Sequence, residues 1–181
     1  YGRRLITDTA RLLGPDHDDP SKRYSGSRLA CSSCHLGSGA DPGMLSLLES
    51  ADLYPRYSGR DGGERDLFDR INGCMEGSMN GRTLPRNRPE LIEMVNYVES
   101  LGDRFKAMGT SLGHATDPAA FVRPERAVNF TAGEQVFKER CAICHGADGL
   151  GLHASANAED GYVFPPLWGP DSFNDGAGMA R

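Results

Sequence analysis

Two pentapeptides of one pattern, Cys31-Ser32-Ser33-Cys34-His35 and Cys141-Ala142-Ile143-Cys144-His145, constrain this chain more than any other feature. Thiols spaced this way can form thioethers to the vinyl groups of a haem, and the histidine that follows directly places an imidazole nitrogen on the iron. Zinc sites and redox dithiols also use Cys-x-x-Cys, but neither requires the adjacent histidine, still less twice. The pattern predicts two covalently bound c-type haems, attached at Cys31/Cys34 and Cys141/Cys144, with His35 and His145 as proximal ligands.

The chain of 181 residues has room for one domain or two small ones. Only 38% of residues are hydrophobic, and Gly (23) and Pro (11) are frequent, so a protein-only core in each half would be thin; a buried prosthetic group fills that gap. The net charge of -5 argues against nucleic acid or an anionic membrane surface as the main partner. No apolar run approaches the roughly 20 residues of a membrane span. The chain begins at Tyr1 with no basic stretch leading into an apolar run, which is read as an export signal already removed. Covalent haem attachment occurs outside the bacterial cytoplasm, so a periplasmic location is expected.

Apolar residues Leu5, Ile6, Ala10, Leu12 and Leu13 recur at helical spacing from Tyr1 to Leu13, closed by Gly14-Pro15. The clearest helix lies between Asn87 and Phe105: Asn87 is a capping candidate, Pro89 suits the first turn, Leu91, Met94, Val95, Val98 and Leu101 form one face, and Gly102 reads as a stop. Residues 109–128 lack sustained periodicity and read as a connection. A capping-box spacing at Thr131-Ala132-Gly133-Glu134, with Val136 and Phe137 as an apolar face, leads into the second motif. The expected fold is mostly α, with two tandem class I cytochrome c-like domains at 1–108 and 129–181. The second reads as incomplete: 36 residues follow His145, against about 70 from His35 to the end of the first unit's closing helix.

Function depends on the sixth iron ligand, which sets the potential. For the first haem, Cys74, Met75 and Met79 all lie about 40 residues after His35. A methionine would make an ordinary electron carrier with Cys74 as a small buried side chain; a Cys74 thiolate would lower the potential and offer a nucleophile. Arg60 and Arg70 precede Cys74 and Ser78 follows it. Arginine forks suit a small oxyanion, although Arg60 and Arg65 also fit a solvated run from Gly59 to Asp66, and Arg70 a surface ion pair. For the second haem, Met179 is the one methionine after His145. Phe164-Pro165-Pro166-Leu167-Trp168-Gly169 resembles the proline-rich wall whose carbonyl steadies a proximal histidine, or a plain turn. His17, His114 and His153 read as surface residues.

These residues together resemble the dihaem thiosulfate dehydrogenases of the TsdA type, which share a c-type fold with the SoxA sulfur-oxidation cytochromes. The resemblance is carried by Leu29-Ala30 entering Cys31-Ser32-Ser33-Cys34-His35-Leu36-Gly37, by Ile71-Asn72-Gly73-Cys74-Met75-Glu76 with Ser78-Met79-Asn80-Gly81, and by the 164–169 segment. It implies that the first haem is the active-site haem, that Cys74 is its distal ligand and the catalytic nucleophile, and that Arg60, Arg70 and Ser78 bind substrate. It places the second haem's distal ligand beyond Arg181, with Met179 a substitute candidate. The implied reaction joins two thiosulfates to tetrathionate, with two electrons passed through two haems to a redox partner such as another cytochrome or an iron-sulfur protein. The alternatives are a dihaem electron carrier without a substrate and a SoxA-like sulfur-oxidation cytochrome.

Overall fold

The computed structural model describes residues 1–42, 45–58, 62–112, 125–153, 155, 162–169 and 171–172, and over these it is helix-rich. The N-terminal amphipathic stretch folds as two short helices rather than one. Helices α1 (Gly2–Thr7) and α2 (Thr9–Leu13) meet at Asp8, whose φ of -134° and ψ of 39° leave the helical region. The cause is Thr9, which is fully buried. Its hydroxyl donates back to the Leu5 carbonyl (2.7 Å) and accepts the Cys31 amide (3.2 Å), a local bond that bends the helix and ties it to the first pentapeptide.

The hairpin of β1 (Arg56–Ser58) and β2 (Gly63–Arg65) pairs Arg56 with Arg65 and Tyr57 with Glu64. It delivers the chain to α3 (Leu67–Gly77), which Asp66 caps. The Asp66 carboxylate accepts the Asp69 amide (3.0 Å), and the Asp69 carboxylate accepts the Asp66 amide (3.1 Å), so two otherwise orphaned donors are satisfied reciprocally. Arg86 pairs with both carboxylates.

Helix α4 (Pro89–Ala107) buries Leu91, Met94, Val95, Val98 and Leu101 on one face, as their spacing predicts. Two details differ from the sequence expectation. The cap is Arg88 rather than Asn87, and Gly102 lies inside the helix, which continues until Phe105 joins Leu48 and Leu101 in a buried cluster. Glycine stands at 102 because the chain passes close: a Cβ there would lie 3.3 Å from the Leu48 carbonyl oxygen. At the crossing of α1 with α4 the approach is closer still, since a Cβ on Gly2 would fall 2.0 Å from the Glu93 carbonyl oxygen.

Leu5, Ile6, Leu13, Leu29, Met75, Met79, Leu84, Leu91 and Met94 form one cluster, and Leu67, Val95 and Val98 another. Each such side chain contributes about 1.5–3 kcal/mol on burial.

After the first unit, α5 (Phe130–Val136) is capped by Asn129, whose side chain accepts the Ala132 amide (3.0 Å). The cap therefore lies two residues before the expected Thr131. A wider, π-type turn over Phe137–Cys141 leads into α6 (Ala142–His145). No residue of this helical segment is buried, and Phe130 and Ile143 are 84% and 83% exposed. Strands β3 (Leu152–His153) and β4 (Tyr162–Phe164) pair antiparallel. Among the described residues no helix is long and apolar enough to cross a membrane.

Candidate active site

The first pentapeptide opens with a single tight turn, Cys31–Ser33, in which the Cys34 and His35 amides donate to the Cys31 carbonyl (3.2 and 2.9 Å). Leu29, 1% exposed, anchors the approach in the core. His35 Nδ1 lies 2.5 Å from the carbonyl oxygen of Leu45. At the second pentapeptide His145 Nδ1 lies 2.7 Å from the carbonyl oxygen of Pro165, the contact expected of the proline-rich segment, and Pro165 and Pro166 are both buried.

This common geometry tests whether the residues fit a haem. With Nδ1–H committed to a carbonyl, the tautomer and ring orientation are set, and Nε2 is left as the lone-pair nitrogen for a metal. None of the five cysteines is in a disulfide. Among the described residues no three His, Cys, Asp or Glu side chains form a cage for a bare metal ion. Both sites present the thiol pair and oriented imidazole that c-type attachment requires.

Helix α3 adds the remaining groups at the first site. Burial pushes the Cys31 thiol up to about 11 and raises that of Cys34, and charge at Cys74 adds to both. Burial also lowers the His35 pKa, the Leu45 carbonyl opposes this, and the positive charge of Arg70 lowers it again. Such couplings fall off with distance. Charge at Cys74 is thus felt at Cys31 and Cys34, and that of Arg70 at His35. Cys74 and Arg70 are four residues apart and so share a face of α3. Ser78, the C-cap residue one turn on, donates its amide to the Cys74 carbonyl (2.9 Å).

The alternative ligands are differently placed. Met75 and Met79 are 1% and 4% exposed, packed in the core cluster with Leu5, Leu13 and Leu84, whereas Cys74 is half-buried. Among the described residues Arg70 has no ion-pair partner, contrary to the surface-pair reading, while the Arg65 guanidinium donates to the Asp69 carbonyl (3.4 Å). Arg60, Met179 and His114 lie outside the described residues. His17 accepts the Asp19 amide through Nδ1 (2.9 Å), and exposed His153 stacks on Tyr162 with ring centroids 4.2 Å apart.

Three positioning groups escaped the sequence reading: Thr9, Leu45 and Asn72. Leu45 contributes a backbone carbonyl, which carries no sequence signature. Asn72, 9% exposed, donates to the Leu84 carbonyl (3.0 Å) and accepts the Leu84 amide (2.8 Å), binding α3 to the segment that follows it. Its place two residues before Cys74 in the distinctive 71–76 stretch was the available signal.

No family model matches the chain. It is 38% identical over 184 aligned residues to the thiosulfate dehydrogenase of Allochromatium vinosum, an alignment covering 99% of this chain and 63% of that protein. It is 37% identical over 158 residues to the thiosulfate dehydrogenase of Psychrobacter arcticus, covering 86% of this chain and 46% of that one. The solved thiosulfate dehydrogenase (TsdBA) of Marichromatium purpuratum superposes with a TM-score of 0.71 at 30% identity, over 99% of this chain and 37% of that one. The chain thus spans about half the length of the curated relatives it matches. By sequence and by fold the chain is similar to thiosulfate dehydrogenases over that part of their length.

Proposed function

We propose that this chain forms the catalytic part of a periplasmic dihaem oxidoreductase that joins two thiosulfates to tetrathionate. One haem sits on Cys31, Cys34 and His35, the other on Cys141, Cys144 and His145, in two tandem cytochrome c-like domains. What supports this reading is that each pentapeptide has its histidine Nδ1 held by a backbone carbonyl, that α3 carries Arg70 and Cys74 four residues apart on one face, and that the chain is similar to thiosulfate dehydrogenases in sequence and fold.

Thiosulfate is a dianion, and Arg70, joined in this reading by Arg60, supplies the permanent planar charge that holds its sulfonate end. The Cys74 sulfur bonds to the outer sulfur of the first thiosulfate with loss of two electrons, giving a Cys74 S-thiosulfonate of charge -1. A second thiosulfate attacks the sulfur attached to Cys74, releasing tetrathionate and regenerating the thiolate. Bound haems supply one-electron sinks, and two of them match the two electrons lost before a redox partner, such as another cytochrome or an iron-sulfur protein, takes them on.

The test is Cys74→Ala, assayed by thiosulfate-dependent haem reduction in the purified holoprotein. Activity should fall by a factor of about 10³ or more, as when other enzymes lose their nucleophile. Retained turnover would remove Cys74 from the chemistry and leave a plain electron carrier.

A further inference from the structure

The two attachment sites are joined by a contact that the reaction above does not use. Strand β4 packs on the Cys31–Ser33 turn. Its first residue, Tyr162, is half-buried and rests against the same core cluster that Cys31 borders. The Tyr162 hydroxyl donates to one oxygen of the Asp171 carboxylate (3.2 Å), and the other oxygen accepts the backbone amide of Arg28 (3.2 Å). The Arg28 guanidinium is in turn held by Asp16 (3.0 Å). Burial and the Asp171 charge both raise the Tyr162 pKa, keeping the phenol protonated as donor.

The spacing gives this contact its meaning. Arg28 lies three residues before Cys31, and Tyr162 lies three residues before Pro165, whose carbonyl orients His145. One carboxylate therefore ties together the two segments that set the two sites. The route from one to the other runs from the Cys31 turn through Tyr162, along β4 to Pro165, and across one hydrogen bond to His145.

We propose that Tyr162 and Asp171 form a clamp that fixes the separation and relative orientation of the two haem sites. These are positioning residues: neither touches the ligating atoms. The proposal rests on the two-haem reading above. Its physical logic is that electron passage between centres depends steeply on their distance. Two small units joined by a segment whose sequence lacks sustained periodicity would otherwise sample many separations.

The experiment uses the oxidised holoprotein without thiosulfate, as Tyr162→Phe, Tyr162→Ala and Asp171→Asn, with Tyr57→Ala as control because Tyr57 is 68% exposed on β1. Haem content per chain is measured on each sample. Backbone amide exchange is followed in residues 28–34 and 162–167, and iron-iron separation by pulsed EPR. Tyr162→Phe keeps the ring and should raise exchange in both segments by about tenfold, the equivalent of one hydrogen bond to a charged group. Tyr162→Ala should raise it further and broaden the iron-iron distance distribution, with Tyr57→Ala unchanged. Faster exchange confined to residues 162–167, or an unaltered iron-iron distribution in Tyr162→Ala, overturns the clamp. A wild-type haem content of one per chain would overturn the two-haem reading instead, and the exchange result still decides whether the segments are coupled.

Discussion

Replacing Asn72 by Ala is the most informative perturbation, because one side chain satisfies both polar groups of a buried residue. Leu84 is 1% exposed, and its amide and carbonyl are bonded to Asn72 at 2.8 and 3.0 Å. Truncation leaves a donor and an acceptor without partners, at about 1–3 kcal/mol each before relaxation. Partial adjustment of the 78–84 segment brings the total to about 2–4 kcal/mol. With a urea dependence of about 1.5–2 kcal/mol per molar for a small domain, the unfolding midpoint should fall by about 1–3 M. Urea titration of the holoprotein, followed by far-UV circular dichroism and by the haem Soret band, measures this directly. Asn72→Asp sharpens the result: it retains an acceptor for the Leu84 amide but faces the Leu84 carbonyl with a second oxygen, so its midpoint should lie no higher than that of Asn72→Ala. A shift below about 0.3 M for Asn72→Ala, or a wild-type midpoint for Asn72→Asp, would show that the Asn72 bonds do not hold α3 in place.

Two further outcomes follow from the helices that carry the site. Asp66→Asn keeps a capping oxygen but removes the negative charge that faces the α3 N-terminus and pairs with Arg86, at about 1 kcal/mol. Hydrogen bonding from Arg86 chiefly holds the Asp66 pKa below the ordinary carboxylate value. The wild-type advantage should be complete above about pH 4 and vanish as the pH falls through the lowered folded value, so thermal melts of the two proteins should converge in acid. Gly2→Ala forces a methyl to within 2.0 Å of the Glu93 carbonyl oxygen and should cost about 1–3 kcal/mol through displacement of α1 from α4, read as a lowered melting temperature at unchanged haem content.

What the amino-acid order determined by itself was chemistry and periodicity that are local. Cys-x-x-Cys-His carries its expectation of a c-type haem within five residues, and Leu91, Met94, Val95, Val98 and Leu101 declare their helix because a 3.6-residue repeat is a property of the segment alone. The odd cysteine and its neighbours stand out for a related reason, since Arg70, Cys74 and Ser78 fall one helical turn apart, and α3 with its C-cap carries all three. Tertiary structure decided whatever depends on a distant partner. Asp8 breaks an otherwise good helix because the Thr9 hydroxyl serves Cys31, 22 residues away. Gly102 looked like a terminator but is a point of close packing against Leu48, and Asn129 rather than Thr131 caps α5. How deeply Cys74, Met75 and Met79 are buried was beyond sequence alone: the folded helix packs both methionines into the core and leaves the cysteine half-buried.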